Sequence, residues 1–347
     1  MRVLIIKLSA FGDIVHALPA LDDLLHHPDV EEVHWLLDER FASVAELLPD
    51  EVVSHTVALK GRGGFANGCA MATRLRRHHF DYLLDLQGLI KSGLLARAIG
   101  GMTYGFDRAH SPEWPNRWLV TPVPFHSDDR HVVQCYRRIA AAPFVCSTGC
   151  CERPASAMEY RQPVVRLSAA MVDQAAVVRR AWGLDGEFAL SHIGGSYATK
   201  RLPALKWREL LCRVGRRQRV VVLWGSGEER DYAQRVAADV DGVFAAPERL
   251  SVATLAGLLH GCCGYIGPDS GVTHLAAAVG APTVTLWGPT SPHRMGAVGD
   301  HHYDIVAQSP CAPCFRRSCD QFICMPSLSV ERIYHTFLQA VTGHTID

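Results

Sequence analysis

Residues 266–288 read IGPDSGVTHLAAAVGAPTVTLWG, and this stretch carries the clearest chemistry of the chain. A strand over Cys263–Gly267 is expected to run into the turn Pro268-Asp269-Ser270-Gly271, with a small-residue helix from Val272 to Val279 and a second strand over Thr283–Trp287. Gly271 lets a ligand approach the backbone closely. The helix start leaves amide N–H groups unpaired, and the macrodipole adds partial positive charge there. Such a turn is an anion site, most naturally for a phosphate group. Read alone, an ordinary strand-to-helix turn with Asp269 or Ser270 as N-cap is the better reading.

Two further positions fit the same chemistry. Lys200 ends the Gly-rich loop of HIGGSYATKRLP, where a lysine reaches a phosphate as a point charge. Asp13 follows the first strand and Gly12, where a carboxylate suits a general base, or else caps a helix beginning at Ile14. Lys7, near it on the first strand, is either an anion ligand or a strand residue that snorkels. Gly225-Ser226-Gly227 lacks the third glycine of a dinucleotide fingerprint, and Ser9-Ala10-Phe11-Gly12-Asp13 has only one, which disfavours a dehydrogenase. Glu228 and Glu229 after the first of these fragments are candidates for ribose hydroxyls or simple helix-dipole partners.

The elements that must position these residues alternate. Strands are expected at 2–8, 32–37, 52–59, 80–86 and 103–106, and again at 188–193, 220–224, 264–267 and 283–287, with amphipathic helices such as 204–217 and 226–239 between them. Alternation of this kind implies parallel sheets covered by helices, an α/β protein. Two doubly wound domains are therefore expected to face each other across a cleft: residues 1–155, residues 156–327, and a final helix in 328–347 packing back across them. The Pro-bearing, Cys-rich stretch 143–163 reads as the linker. With 48% hydrophobic and 20% charged residues, 347 residues suffice for two cores.

Zero formal net charge gives no global electrostatic case for nucleic acid. The apolar N-terminal run is too short for a signal peptide and reads as a strand. No apolar stretch approaches the roughly 18 to 20 residues that span a bilayer, so a cytoplasmic or membrane-peripheral protein is expected. Twelve cysteines, some adjacent (Cys150-Cys151, Cys262-Cys263), do not suggest a secreted disulfide framework.

In combination, MRVLIIKLSAFGDIVHALPAL, DLQGLIKSGLLAR, the loop ending Lys200-Arg201-Leu202-Pro203, and PDSGVTHLAAAVGAPTVTLWGPT resemble glycosyltransferase family 9, the ADP-heptose:lipopolysaccharide heptosyltransferases, over nearly the whole chain. The resemblance implies a GT-B fold of two Rossmann-like domains and an inverting transfer without a catalytic cofactor. It further implies an ADP-heptose site in the C-terminal domain and an acceptor site in the N-terminal one. Asp13 matches the family's proposed base and Lys200 the lysine that holds the diphosphate. Asp269, Ser270, Gly271, Val272 and His274 match the donor turn, with Glu228 added as a donor contact. Ser270 departs from the threonine of many members but keeps the hydroxyl. Asp269, being acidic, is assigned to sugar hydroxyls or to orienting the loop.

The implied acceptor is the Kdo region of lipid A or inner-core lipopolysaccharide, on the cytosolic face of the inner membrane. Between residues 60 and 97 lie Lys60, Arg62, Arg74, Arg76, Arg77, Lys91 and Arg97 against Asp81 and Asp85, a surplus of five positive charges. With Lys7, all but Arg97 are taken as acceptor contacts, the alternative for Arg74–Arg77 being a solvated helix face. DLQGLIKSG and YGFDRAHSPE lean toward the enzyme that adds the first heptose.

Against that lean stands CAPCFRRSCDQFIC, which resembles a cysteine cluster of other family branches. The spacing of Cys311, Cys314, Cys319 and Cys324 is short enough to wrap one structural zinc or iron ion, with a reduced metal-free loop as the other reading. It also matches a zinc knuckle with Cys for His, which raises a nucleic-acid-binding module as a minor alternative. A GT-B-fold nucleotide-sugar epimerase is the runner-up enzyme.

Overall fold

Runs such as RVLII and RVVVL are apolar without alternation, the pattern of strands buried on both faces of a parallel sheet. A computed structural model describes residues 1–126, 129–148, 164–195 and 197–343. Residues 149–163, with the greater part of the expected linker, its boundary at 155 and Cys150-Cys151, lie outside the described residues. The chain forms two compact units, Met1–Val164 and Val165–Asp347.

The first unit contains β1 (Arg2–Ile6), β2 (Glu32–Asp38), β3 (Val52–Val57), β4 (Tyr82–Asp85), β5 (Met102–Phe106) and β6 (Thr121–Val123). The second contains β7 (Phe188–His192), β8 (Arg219–Leu223), β9 (Val243–Ala245), β10 (Gly264–Pro268), β11 (Thr283–Trp287) and β12 (His302–Val306). All pairings are parallel. The orders are β3-β2-β1-β4-β5-β6 and β12-β11-β10-β7-β8-β9. The second is the first written from its other edge, so each unit is a complete doubly wound Rossmann-like fold. In each, the strand order reverses between the first and fourth strands of the unit: β1 beside β4, and β7 beside β10. Loops leaving the carboxyl ends of those two strands diverge to opposite faces and open a crevice.

The nine expected strands are all present. Those not anticipated, β6, β9 and β12, are sheet edges, and β6 carries Pro122, which an edge strand tolerates. The final helix, Val330–Thr342, is capped by Ser329, whose hydroxyl accepts from the Arg332 N–H at 3.2 Å. It buries Val330, Ile333, Phe337 and Ala340, a helical stripe, in the same cluster as Trp207 and Met325 of the second unit. A Cβ on Gly264 would come within 2.6 Å of the Phe337 ring, so the strand needs glycine there for the helix to seat. Among the described residues, no helix is long and apolar enough to cross a membrane.

Candidate active site

In the second unit, β7 and β10 deliver the expected donor residues to one switch point. β10 ends at Pro268, and helix Gly271–Ala278 starts three residues later. Ser270 is its N-cap, the hydroxyl accepting from the Thr273 N–H at 3.4 Å, and the first intrahelical N–H is that of His274, bonded to the Ser270 carbonyl at 3.2 Å. The Gly271 and Val272 amides therefore head the helix, where no intrahelical acceptor exists for them. The loop after β7 returns Lys200 to the same place. Its Nζ donates to Asp269 Oδ2 at 2.6 Å and to the Asp269 main-chain carbonyl at 3.3 Å. Nε2 of His274 lies 3.2 Å from Asp269 Oδ1.

Lys200, Asp269 and His274 are all buried. Burial pushes the Asp269 carboxyl up, but His274 and Lys200 outweigh it and hold the group well below the usual carboxylate range. Asp269 thus faces both Lys200 and His274, neighbours on either side of the turn. Lys200 also lies 5.0 Å from the Tyr197 ring centroid, which fixes its direction further.

Helix Gly227–Ala237 separates the two acids at its start. Glu228 is 77% exposed and pairs with Arg201 at 2.8 Å. Glu229, the other acid weighed for the ribose hydroxyls, turns inward. It accepts from the Gly225 N–H at 2.8 Å and lies 3.7 Å from His192 Nε2, at the end of β7. A Cβ on Gly194 would sit 2.0 Å from its carboxylate, so Gly194 is what makes room for it. Burial pushes this carboxyl up, but the His192 contact, the Gly225 N–H and the Arg201 charge together bring it down to about 2.

In the first unit the switch point presents Asp13 and Lys7. Helix Phe11–Leu25 begins three residues before the expected Ile14, with Ala10 as N-cap, so Asp13 is the third helical residue rather than the cap. Its Oδ2 accepts from the Ala10 N–H at 3.2 Å, and the side chain is half-buried. The loop before it is held from β4. Gln87 Oε1 accepts from the Leu8 and Ser9 N–H groups, both at 2.9 Å. Gln87 is itself placed by Asp85, which accepts from the Gln87 and Gly88 N–H groups at 3.0 Å, from Ser92 at 3.0 Å and from Asn116 at 2.8 Å. Burial raises the Asp85 carboxyl in spite of these four donors. Gly88 has φ +68°, and a Cβ there would meet Pro112 at 2.7 Å, so only glycine fits the turn. From sequence alone this DLQG segment has no positioning task. A polar pair inside a buried run was the available signal.

Lys7 is buried, with its Nζ 4.9 Å from the Tyr136 ring centroid. Burial lowers its pKa, and the negative fields of Asp13 and Asp85 act against that. The snorkelling reading is therefore excluded.

The basic surplus divides. Lys60, Arg62, Arg74, Arg76, Arg77 and Lys91 are all exposed. Lys60 and Arg62 follow β3, and Lys91 opens helix Ile90–Ile99 after β4, at the carboxyl edge that also presents Asp13. Helix Gly64–Arg76 runs back toward the start of β4, so Arg74, Arg76 and Arg77 lie at the opposite edge of the sheet. There Arg74 donates to His55 Nδ1 at 3.0 Å and Arg76 to the Ala98 carbonyl. This placement argues against the expected acceptor role of these three arginines.

Among the described residues, the cysteine cluster is not gathered as expected: no three of Cys311, Cys314, Cys319 and Cys324 bring their sulfurs within 4.8 Å of one another. The loop is held by its main chain instead. The Cys314 and Phe315 N–H groups donate to the Pro289 carbonyl at 3.0 and 2.8 Å, and Thr199 donates to the Arg316 carbonyl at 2.8 Å. Cys324 is buried, while Cys311 is exposed.

The model of glycosyltransferase family 9 (heptosyltransferase) matches residues 69–322. The chain is 32% identical to lipopolysaccharide heptosyltransferase 1 of Pseudomonas aeruginosa, over 92% of this chain and 87% of that protein. It is 30% identical to the protein of the same name from Salmonella typhimurium, over 86% and 92% of the two chains. The solved structure of Escherichia coli heptosyltransferase WaaC with ADP-2-deoxy-2-fluoro heptose superposes with a TM-score of 0.71 at 26% identity, covering 88% of this chain and 93% of that one.

Proposed function

Because the chain belongs to glycosyltransferase family 9, the heptosyltransferases, we propose that it moves a heptose from ADP-heptose to the Kdo or inner-core region of lipopolysaccharide, with inversion at the anomeric carbon. The observation that carries the donor half is the buried Lys200–Asp269–His274 set at the head of helix Gly271–Ala278. It offers a fixed ammonium and helix-start amides that have no intrahelical acceptor, the donors a diphosphate requires. Glu229, facing inward beside this set, is the better candidate than Glu228 for the ribose hydroxyls.

In the proposed reaction an acceptor hydroxyl oxygen attacks the anomeric carbon while the bond from that carbon to the β-phosphate oxygen breaks. ADP leaves carrying the added negative charge, and Asp13 takes the hydroxyl proton. Lys200 and the Gly271 and Val272 amides would stabilise the charge that grows on the diphosphate, so the transition state is favoured over the bound sugar nucleotide. Gln87 and Asp85 fix the backbone from which Asp13 projects. Single displacement gives inversion without a covalent intermediate on the protein.

Lys60, Arg62 and Lys91 are assigned to the anionic acceptor, and the names of the relatives favour the first heptose. Because the proposed acceptor is lipid-borne, we infer a cytoplasmic protein that is peripheral on the cytosolic face of the inner membrane. No catalytic cofactor is required. A structural zinc or iron ion on Cys311, Cys314, Cys319 and Cys324 would need that loop to close further. Titration calorimetry with ADP tests the donor half: Lys200→Met should weaken binding, and an unchanged affinity would move the diphosphate elsewhere.

A further inference from the structure

His34 on β2, His55 on β3 and His78 just beyond helix Gly64–Arg76 come together at a place the transferase reaction does not use. One ligating atom from each lies within 4.8 Å of the others. His34 and His55 are buried and His78 is half-buried. We propose that these three imidazoles form a binding site for a zinc-like divalent cation.

The hydrogen bonds around the trio fix which nitrogen can ligate. Glu32 Oε1 stands 2.8 Å from His34 Nε2, and a carboxylate only accepts, so that nitrogen carries the proton. His34 Nδ1 therefore presents its lone pair to the cluster, the arrangement by which a carboxylate orients and strengthens a ligating histidine. His34 Nδ1 and His55 Nε2 face each other at 2.7 Å. Two imidazoles on one tetrahedral zinc stand about 3.3 Å apart at Zn–N distances of roughly 2.0 to 2.1 Å, so these rings need to part by only about half an ångström.

The third ring, His78, lies with its centroid 4.7 Å from that of His34 and 5.7 Å from that of His55. Three histidines leave one position for water, and neutral imidazoles suit zinc, copper, nickel or iron rather than magnesium or calcium. Phe80, at 4.8 Å from the His34 ring, closes one side with apolar surface.

Two positive groups oppose binding. Arg74 donates to His55 Nδ1 at 3.0 Å, which places the proton on His55 Nε2, the nitrogen that must face the metal. A cation displaces that proton, His55 must then carry its hydrogen on Nδ1, and Arg74 must swing away. It is exposed and can do so. Arg2, which bridges Glu32 at 3.0 Å, adds a second positive charge nearby. Arg74 thus sets the affinity, and its removal should strengthen binding.

Cobalt(II) titration of the intact protein, followed by absorption, tests this. We expect one site per chain with visible d–d bands and no intense near-ultraviolet thiolate-to-cobalt band, displaced by zinc, and a melting temperature that rises with added zinc. His78→Ala should abolish the bands. Glu32→Ala should weaken binding by about 10- to 100-fold, and Arg74→Ala should tighten it several-fold. Far-ultraviolet circular dichroism of each metal-free variant checks folding, and Glu32 and Arg74 are peripheral enough for their variants to report if His78→Ala misfolds. No stoichiometric bands, or bands that survive His78→Ala, would overturn the proposal. So would a thiolate band lost in Cys314→Ser, which would put the metal on the cysteine loop. ADP binding by wild-type protein is measured alongside, so failure here leaves the transferase reading standing on its own test.

Discussion

Replacing Asp269 by asparagine keeps the shape of the donor turn and removes the negative charge that faces Lys200. Both groups are buried, and the Lys200 Nζ–Asp269 Oδ2 distance is 2.6 Å. Leaving one half of a buried pair uncompensated costs about 3 to 5 kcal/mol. For a unit the size of Val165–Asp347 that corresponds to a fall in melting temperature of about 6 to 20 °C. Lys200→Met should cost less, because the carboxylate it leaves behind keeps His274 Nε2 at 3.2 Å as a hydrogen-bond partner.

In the double variant Lys200→Met/Asp269→Asn both charges are gone. The introduced amide oxygen can still accept from His274, and stability should return to within about 1 kcal/mol of wild type, since removing both partners of a buried pair is often neutral. ADP binding should not return. Losing a charge-assisted hydrogen bond to phosphate is worth about 1.5 to 3 kcal/mol, roughly 10- to 150-fold in Kd. Calorimetric unfolding and ADP titration of the three variants separate the two roles. A single Asp269→Asn change with unaltered melting would refute the buried-pair account, and wild-type ADP affinity in the double variant would refute the diphosphate assignment.

Asp13→Ala should lower kcat by about 10² to 10⁴ with ADP affinity kept, the usual worth of a general base; wild-type turnover with chemistry rate-limiting would remove Asp13 from that role. Glu229, held at about 2 in the folded chain against an ordinary value of 4.5, contributes stability that is complete above about pH 5 and lost as pH falls from 4.5 toward 2. The contribution is at most about 3 kcal/mol. Glu229→Gln should flatten that acid arm of the stability curve, and an arm identical to wild type would show that the carboxylate gains nothing from its partners. Reversing Arg76 and Arg77 to glutamate should leave the acceptor KM unchanged, while reversing Lys60, Arg62 and Lys91 should raise it. Kinetics at low salt, where exposed charges are least screened, decide between the two edges of the sheet.

The interior strands were legible because burial on both faces leaves unbroken apolar runs. The edge strands HYDIV, TPV and VFA carry polar or proline residues, or are only three residues long, at a margin that needs no such run. Helix Phe11–Leu25 begins earlier than its sequence suggests because Ala10 supplies no capping side chain to mark the start. The donor turn was readable since Asp269, Ser270, Gly271 and His274 are neighbours in sequence. Which of Glu228 and Glu229 faces inward was not, because adjacent residues on a helix point about 100° apart and the phase is set by packing. Arg74, Arg76 and Arg77 looked continuous with Lys60 and Arg62 until the helix between them carried its end to the far edge of the sheet. The trio His34, His55 and His78 had no local pattern at all, being assembled from two strands and a turn.

Heptose transfer is decided by incubating the purified protein with ADP-heptose and Kdo-lipid A and weighing both products by mass spectrometry. ADP should appear only when the acceptor is present, in step with acceptor molecules that have each gained one heptose. Release of nucleotide, or conversion of the sugar nucleotide to an isomer, in the absence of acceptor and without any gain in acceptor mass would contradict it.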